Sequence, residues 1–154
     1  MKNYSGLLYG LIAGLITVTY FLLFYTVNPR IMLGSIVWWS SLVIYLIAMV
    51  LAVKKRASKA ENYITLRSAL QTGFLVFVIA NLLFYTFFYL LFGLFDPSLV
   101  DLQKEMMSAN PAVADELNTK DFSVTLSGTF FNYLYSLIGG FLLALGIAAV
   151  MKSD

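Results

Sequence analysis

The chain predicts an all-α membrane protein: a four-helix antiparallel transmembrane bundle with both termini on the cytoplasmic side. Three observations predict it. Four long apolar runs fill most of the 154 residues, in one transmembrane domain with helices over about 4–27, 31–53, 65–95 and 123–151. The composition is 60% apolar and only 12% charged, against about 45–50% and 25% for a soluble domain. The charges between the runs also sort by sign. Crossing a bilayer takes roughly 20 apolar residues at about 1.5 Å each, and every run meets that length.

The first run, 4–27, is longer than the apolar core of a signal peptide, and no small-x-small cleavage site follows it. It reads as an uncleaved helix. Asn28-Pro29 comes next. Asparagine caps a helix, and proline at the first helical position loses no needed N–H. The second helix is therefore expected from about 31, in a tight hairpin with the first.

Lys54, Lys55, Arg56 and Lys59 follow the second run, Arg67 lies just beyond, and Lys2 and Lys152 flank the termini. The opposite face carries only Arg30, Lys104 and Lys120. Basic residues concentrate on the cytoplasmic side of membrane proteins, which predicts an N-in, C-in topology. Asp96, Asp101, Glu105, Asp115, Glu116 and Asp121 all fall on the outer side. The basic loop suits contact with anionic lipid. A cytoplasmic partner is the sharper alternative, and nucleic acid has no support beyond this cluster.

The third helix enters near Thr65. The outer loop 96–122 predicts two short amphipathic helices. Asp96-Pro97 marks the start of one, whose apolar residues Leu99, Leu102 and Met106 recur at helical spacing. Asn110-Pro111 starts the second, expected to end near Asn118. The segment is either a connector resting on the bundle or a lid. The fourth helix completes the domain.

Lipid gives helices no hydrophobic reason to associate, so small residues four apart mark close packing. Gly6, Gly10 and Gly14 form such a GxxxG ridge on the first helix. Ala69 and Gly73 lie on the third, and Ser136, Gly140, Ala144 and Ala148 on the fourth. The first ridge is expected to meet the fourth helix or another subunit. The outer half is aromatic, including Trp38, Trp39, Tyr85 and Tyr133. These rings either fill a splayed end or line a groove for a lipid tail or a partner helix.

No charged residue lies in the middle of a span, where each would cost about 2.5–3.5 kcal/mol. That argues against proton-coupled transport and voltage sensing. Cysteine and histidine are absent, which excludes disulfides, ordinary zinc sites and thiolate chemistry within the chain. No catalytic, cofactor or metal residue is nominated. The polar candidates are Asn81 near the midplane and Asn132 in the outer half. An amide in hydrocarbon needs partners, supplied by an interhelical hydrogen bond or by a bound molecule.

The stretch Tyr9-Gly10-Leu11-Ile12-Ala13-Gly14-Leu15-Ile16 resembles the first helix of a bacterial family named domain of unknown function 4199. So do Ile64-Thr65 leading to Ala69 and Gly73-Phe74, and the acidic segment from Asp96-Pro97 to Met107. The resemblance covers most of the chain. It implies a four-helix protein of the cytoplasmic (inner) membrane of Bacteroidota-type bacteria, with no assigned catalytic residues. The expected role is a non-enzymatic accessory or scaffold subunit that contacts the bilayer and another membrane protein, or itself. Enzymes acting on polyprenyl-phosphate lipids are one partner class that an aromatic groove suits. The alternative is a small-solute or lipid transporter acting as a homo-oligomer.

Overall fold

The computed structural model describes residues 4–117 and 121–153. The elements are α1 (Tyr4–Val27), α2 (Pro29–Met32), α3 (Ser35–Ser58), α4 (Leu66–Leu90) with a π-helical turn at Leu91–Phe95, α5 (Ser98–Ser108), α6 (Pro111–Leu117) and α7 (Leu126–Met151). The described residues contain no strand. Four helices are long and apolar enough to cross a membrane: α1, α3, α4 with its π turn, and α7. The shortest has 24 residues, about 36 Å of helix, against a hydrocarbon core of about 30 Å. Their outward faces carry residues such as Leu15, Leu23, Ile36, Val43 and Ile138, all at least half exposed. Apolar side chains around the whole circumference mark helices solvated by lipid rather than water.

Asn28 does not start the long second helix. Its side chain accepts the Arg30 N–H at 2.9 Å and caps the four-residue α2. α3 begins only after Gly34, which has extended φ/ψ. Proline fixes φ at the first turn but cannot set the direction of the next span, so the chain takes one extra turn before descending. Thr65 caps α4 through the Ser68 N–H, and Thr125 caps α7 through the Gly128 N–H. The fourth span thus starts three residues later than the expected 123. The two short helices of the 96–122 loop are present. Asn110 accepts the Ala112 N–H at the start of α6, and Asn118 lies outside the described residues.

α4 is the central element, packing against α1, α3 and α7. Partners of α7 descend as those of α4 ascend: Gly73 lies near Ala144, Phe77 against Gly140, and Asn81 bonds Ser136. α1 and α4 instead ascend together. Gly6 faces Thr72 and Leu75, Gly10 faces Val76 and Ile79, and Gly14 faces Ala80 and Leu83. The glycine ridge of the first helix therefore seats on the third span, neither on the fourth nor on an exposed face. The reason is a fit of shapes: three missing side chains admit the β-branched and leucine side chains of α4.

One end of the bundle is basic. Lys54, Lys55, Lys59 and Arg67 are exposed there. Glu61 and Asn62 take positive φ of 53° and 64°, reversing the chain between α3 and α4. Ser153 pins the α7 terminus to this loop: its N–H donates to the Ile64 carbonyl at 2.9 Å, and its hydroxyl donates to the Asn62 carbonyl at 3.1 Å.

The other end is acidic and densely aromatic. Phe21, Phe84, Leu91 and Phe92 form a buried cluster with Met32 and Leu99, supported by Trp38 and Phe88. Phe88 and Phe92 stack at 4.1 Å, and Trp38 meets Phe84 edge-on at 5.5 Å. Here the rings fill the end, as one of the two expected arrangements has it. Leu99 from α5 is buried in this cluster, so α5 lies on the bundle rather than apart from it. Asp96 accepts hydrogen bonds from the Ser98 hydroxyl and, at 2.8 Å, from Tyr25. These bonds hold its carboxyl below the usual carboxylate range, the Ser98 hydroxyl having the larger effect. Arg30 pairs with Glu105 at 2.8 Å, an exposed bridge worth at most about 1 kcal/mol.

Candidate functional site

Below the aromatic plug, at mid-depth, the packing opens. α3 and α7 both pack on α4 but meet each other only sparsely. Between them lies a groove of about 700 Å³, within the roughly 300–1,000 Å³ typical of ligand sites. Trp38, Trp39, Ser41 and Tyr45 line it from α3, and Phe77, Asn81, Phe84 and Tyr85 from α4. Ser136, Gly139, Gly140 and Leu143 close it from α7, and Thr17 of α1 lies at the back. No charged residue lines it.

The polar groups of the floor are tied to protein. Asn81 donates from Nδ2 to the Ser136 hydroxyl, which in turn donates to the Tyr133 carbonyl at 2.6 Å. Tyr45 donates to Asn81 Oδ1 at a long 3.5 Å. Thr17 donates back to the Ala13 carbonyl at 2.8 Å, and Ser41 to that of Trp38 at 2.7 Å. These last two follow the local habit of helix hydroxyls, which bond the preceding turn. Among the described residues, no buried side-chain nitrogen or oxygen lacks a partner. A polar network of this kind in lipid holds helices in register, at about 0.6 kcal/mol per bond on average.

Two adjacent glycines on α7 shape the opening. A β-carbon on Gly140 would run into the Phe77 ring, whereas one on Gly139 would meet nothing within 4 Å. Gly140 brings α7 against α4, and Gly139 leaves the space beside that contact empty. Ala144 and Ala148 continue the contact, both fully buried.

The sequence candidates separate here. Trp38, Trp39, Tyr85 and Asn81 come together on the groove, with Trp39 73% exposed at its rim. Tyr133 is buried and donates to the Val78 carbonyl at 3.2 Å. It borders a smaller pocket of about 140 Å³ between α4 and α7. Asn132 is exposed on the outward face of α7 and lines none of these spaces. One residue of helix rotates a side chain by about 100°, so Asn132 and Tyr133 part company. Of the packing residues, Ala69, Gly73, Gly140, Ala144 and Ala148 are all buried, and Ser136 is half-buried on the groove. Tyr45, Phe77 and Gly139 were not among the candidates. The Gly139-Gly140 pair was the available signal, because two adjacent glycines cannot both face the same neighbour.

Three apolar spans gathered round a central fourth, with a lateral groove at mid-depth, define a multi-pass all-helical membrane protein. The chain belongs to the family described as "Protein of unknown function (DUF4199)", whose model matches residues 8–153. No curated protein and no solved structure matches the chain.

Proposed function

We propose that this protein is a non-enzymatic accessory or scaffold subunit of a larger assembly in the bacterial cytoplasmic membrane. The observation that carries the reading is the one-sided packing of α7. Of its 26 residues, only Tyr133, Gly140, Ala144 and Ala148 are buried. Phe131, Tyr135 and Ile138 are each more than half exposed on its outward side. Gly146 on that side, like Gly139, has open space where a β-carbon would stand. Small residues beside large apolar ones let a second helix approach closely. Composition supports the absence of enzymatic chemistry: there is neither cysteine nor histidine, and no acid or base lies in the middle of a span.

The test is capture of the tagged protein from its native membrane in mild detergent, comparing wild type with Gly146→Trp. A stoichiometric membrane partner should follow the wild type and be lost from the variant, with thermal unfolding unchanged. A monodisperse homo-oligomer without a partner would overturn the reading. Homo-oligomeric transport of a small solute or lipid, the alternative, drew on the α1 glycine ridge as a subunit interface. That ridge is occupied inside the chain by α4.

The orientation we propose places the basic end in the cytoplasm. The exposed Lys54, Lys55, Lys59 and Arg67 cluster there, while Asp101, Glu105, Asp115 and Glu116 are exposed at the other end. The natural absence of cysteine allows single-cysteine labelling. In intact cells, a membrane-impermeant maleimide should modify Glu116→Cys and spare Lys55→Cys until the membrane is opened. The reverse pattern would invert the topology.

A further inference from the structure

We infer that the groove between α3 and α7 holds hydrocarbon chains of a bilayer phospholipid, admitted sideways from the membrane. Three observations choose this occupant. The opening faces the bilayer, with Trp39 and Leu142 exposed at its lips at 73% and 62%. The hydroxyl and amide groups of its floor are already paired within the protein: Asn81 with Ser136, Tyr45 with Asn81, Ser41 and Thr17 with their own helices. An occupant therefore meets no charge and no unpaired buried polar group, which favours an apolar chain over a headgroup at this depth. The third observation is size. From Trp38 to Tyr45 the groove runs seven residues, about 10 Å of helix. Its volume of about 700 Å³ lies over that short length. A bilayer-crossing partner helix, about 30 Å long, would meet this space over only about a third of its length, whereas hydrocarbon chains fit within it.

Gly139 is what keeps the space open, since nothing lies within 4 Å of its absent β-carbon. Gly139→Leu should fill the groove without disturbing the α4–α7 contact made by Gly140. The inference goes beyond the subunit reading and does not rest on it. The protein's two tryptophans, Trp38 and Trp39, both line the groove. With Trp39→Phe, Trp38 becomes the sole tryptophan and lies inward of the rim.

The experiment reconstitutes Trp39→Phe, with and without Gly139→Leu, in vesicles of phosphatidylethanolamine and phosphatidylglycerol. The acyl chains are either plain or brominated at mid-chain. Bromine should quench Trp38 at least twofold, and Gly139→Leu should restore at least half of the lost emission with an unchanged melting curve. Equal quenching in both variants would show chains passing outside the groove and overturn the inference. So would relief of quenching by a few mole per cent of a polyprenol, which would give the groove to an isoprenoid. Should Gly139→Leu unfold, native mass spectrometry of the wild type decides: a phospholipid retained one to one sustains the inference, and a bare protein ends it.

Discussion

Gly140→Leu is expected to detach α7 from α4 and to lower stability by about 3 kcal/mol, the upper end of the cost of overpacking a core. For a chain of this size that is a fall in Tm of about 6–12 °C. A β-carbon at this position overlaps the Phe77 ring, and Phe77 has little room to turn because Tyr45 packs against it at 5.3 Å. Gly140→Ala, carrying the β-carbon alone, should cost part of that amount. Combining Gly140→Ala with Phe77→Leu should return at least half of the loss, because the smaller side chain vacates the contested space. Thermal unfolding in detergent measures all three, and the double-mutant comparison isolates the pair. A loss for Gly140→Leu below about 2 °C, or no rescue by Phe77→Leu, would contradict this account of how α7 docks.

The second large effect belongs to α1. A β-carbon on Gly10 would stand 2.8 Å from Ile79 Cβ and 3.1 Å from the Val76 carbonyl oxygen. On Gly14 it would stand 3.0 Å from Leu83 Cβ and 3.2 Å from the Ala80 Cα. These are backbone and β-carbon neighbours, which move only if the whole helix moves. Gly10→Leu should therefore push α1 off α4 and cost about 2–3 kcal/mol, again read as Tm. Oligomeric state should not change, because the ridge lies inside the chain. Gly146→Leu, facing open space, is the matched control, expected within about 0.5 kcal/mol of wild type. A Gly10→Leu protein that melts normally but dissociates from a complex would return the ridge to an intersubunit role.

Much of the architecture was legible in the residues, for identifiable reasons. Run length marks a span because the bilayer has a set thickness. The Asn110-Pro111 pair marked a helix start because the first backbone N–H groups need partners wherever the helix sits. Leu99 at helical spacing from Leu102 and Met106 marked the buried side of α5, since that helix lies at a polar surface where the contrast between faces survives. The same contrast is missing inside the membrane, where buried and lipid-facing side chains are equally apolar. Nothing in Gly10 says that Ile79 rather than a residue of α7 faces it. Asn81, near the midplane, and Asn132, higher in the outer half, both stood as candidates until the bundle was assembled. Asn81 is buried and bonded to Ser136, while Asn132 looks outward.

The sequence by itself determined four spans, the two surface helices of the acidic loop and the sorting of charge between the ends. It also left the chain without cysteine or histidine, and so without disulfides or thiolate chemistry of its own. Only the tertiary structure decided that α4 is the hub, that the α1 ridge is spent on it, and that α3 and α7 part at mid-depth to leave a groove. The division follows from the solvent. Lipid solvation depends on composition summed over a run, which a sequence states directly. Helix association in lipid depends on steric fit between particular side chains, and fit exists only once the helices are set side by side.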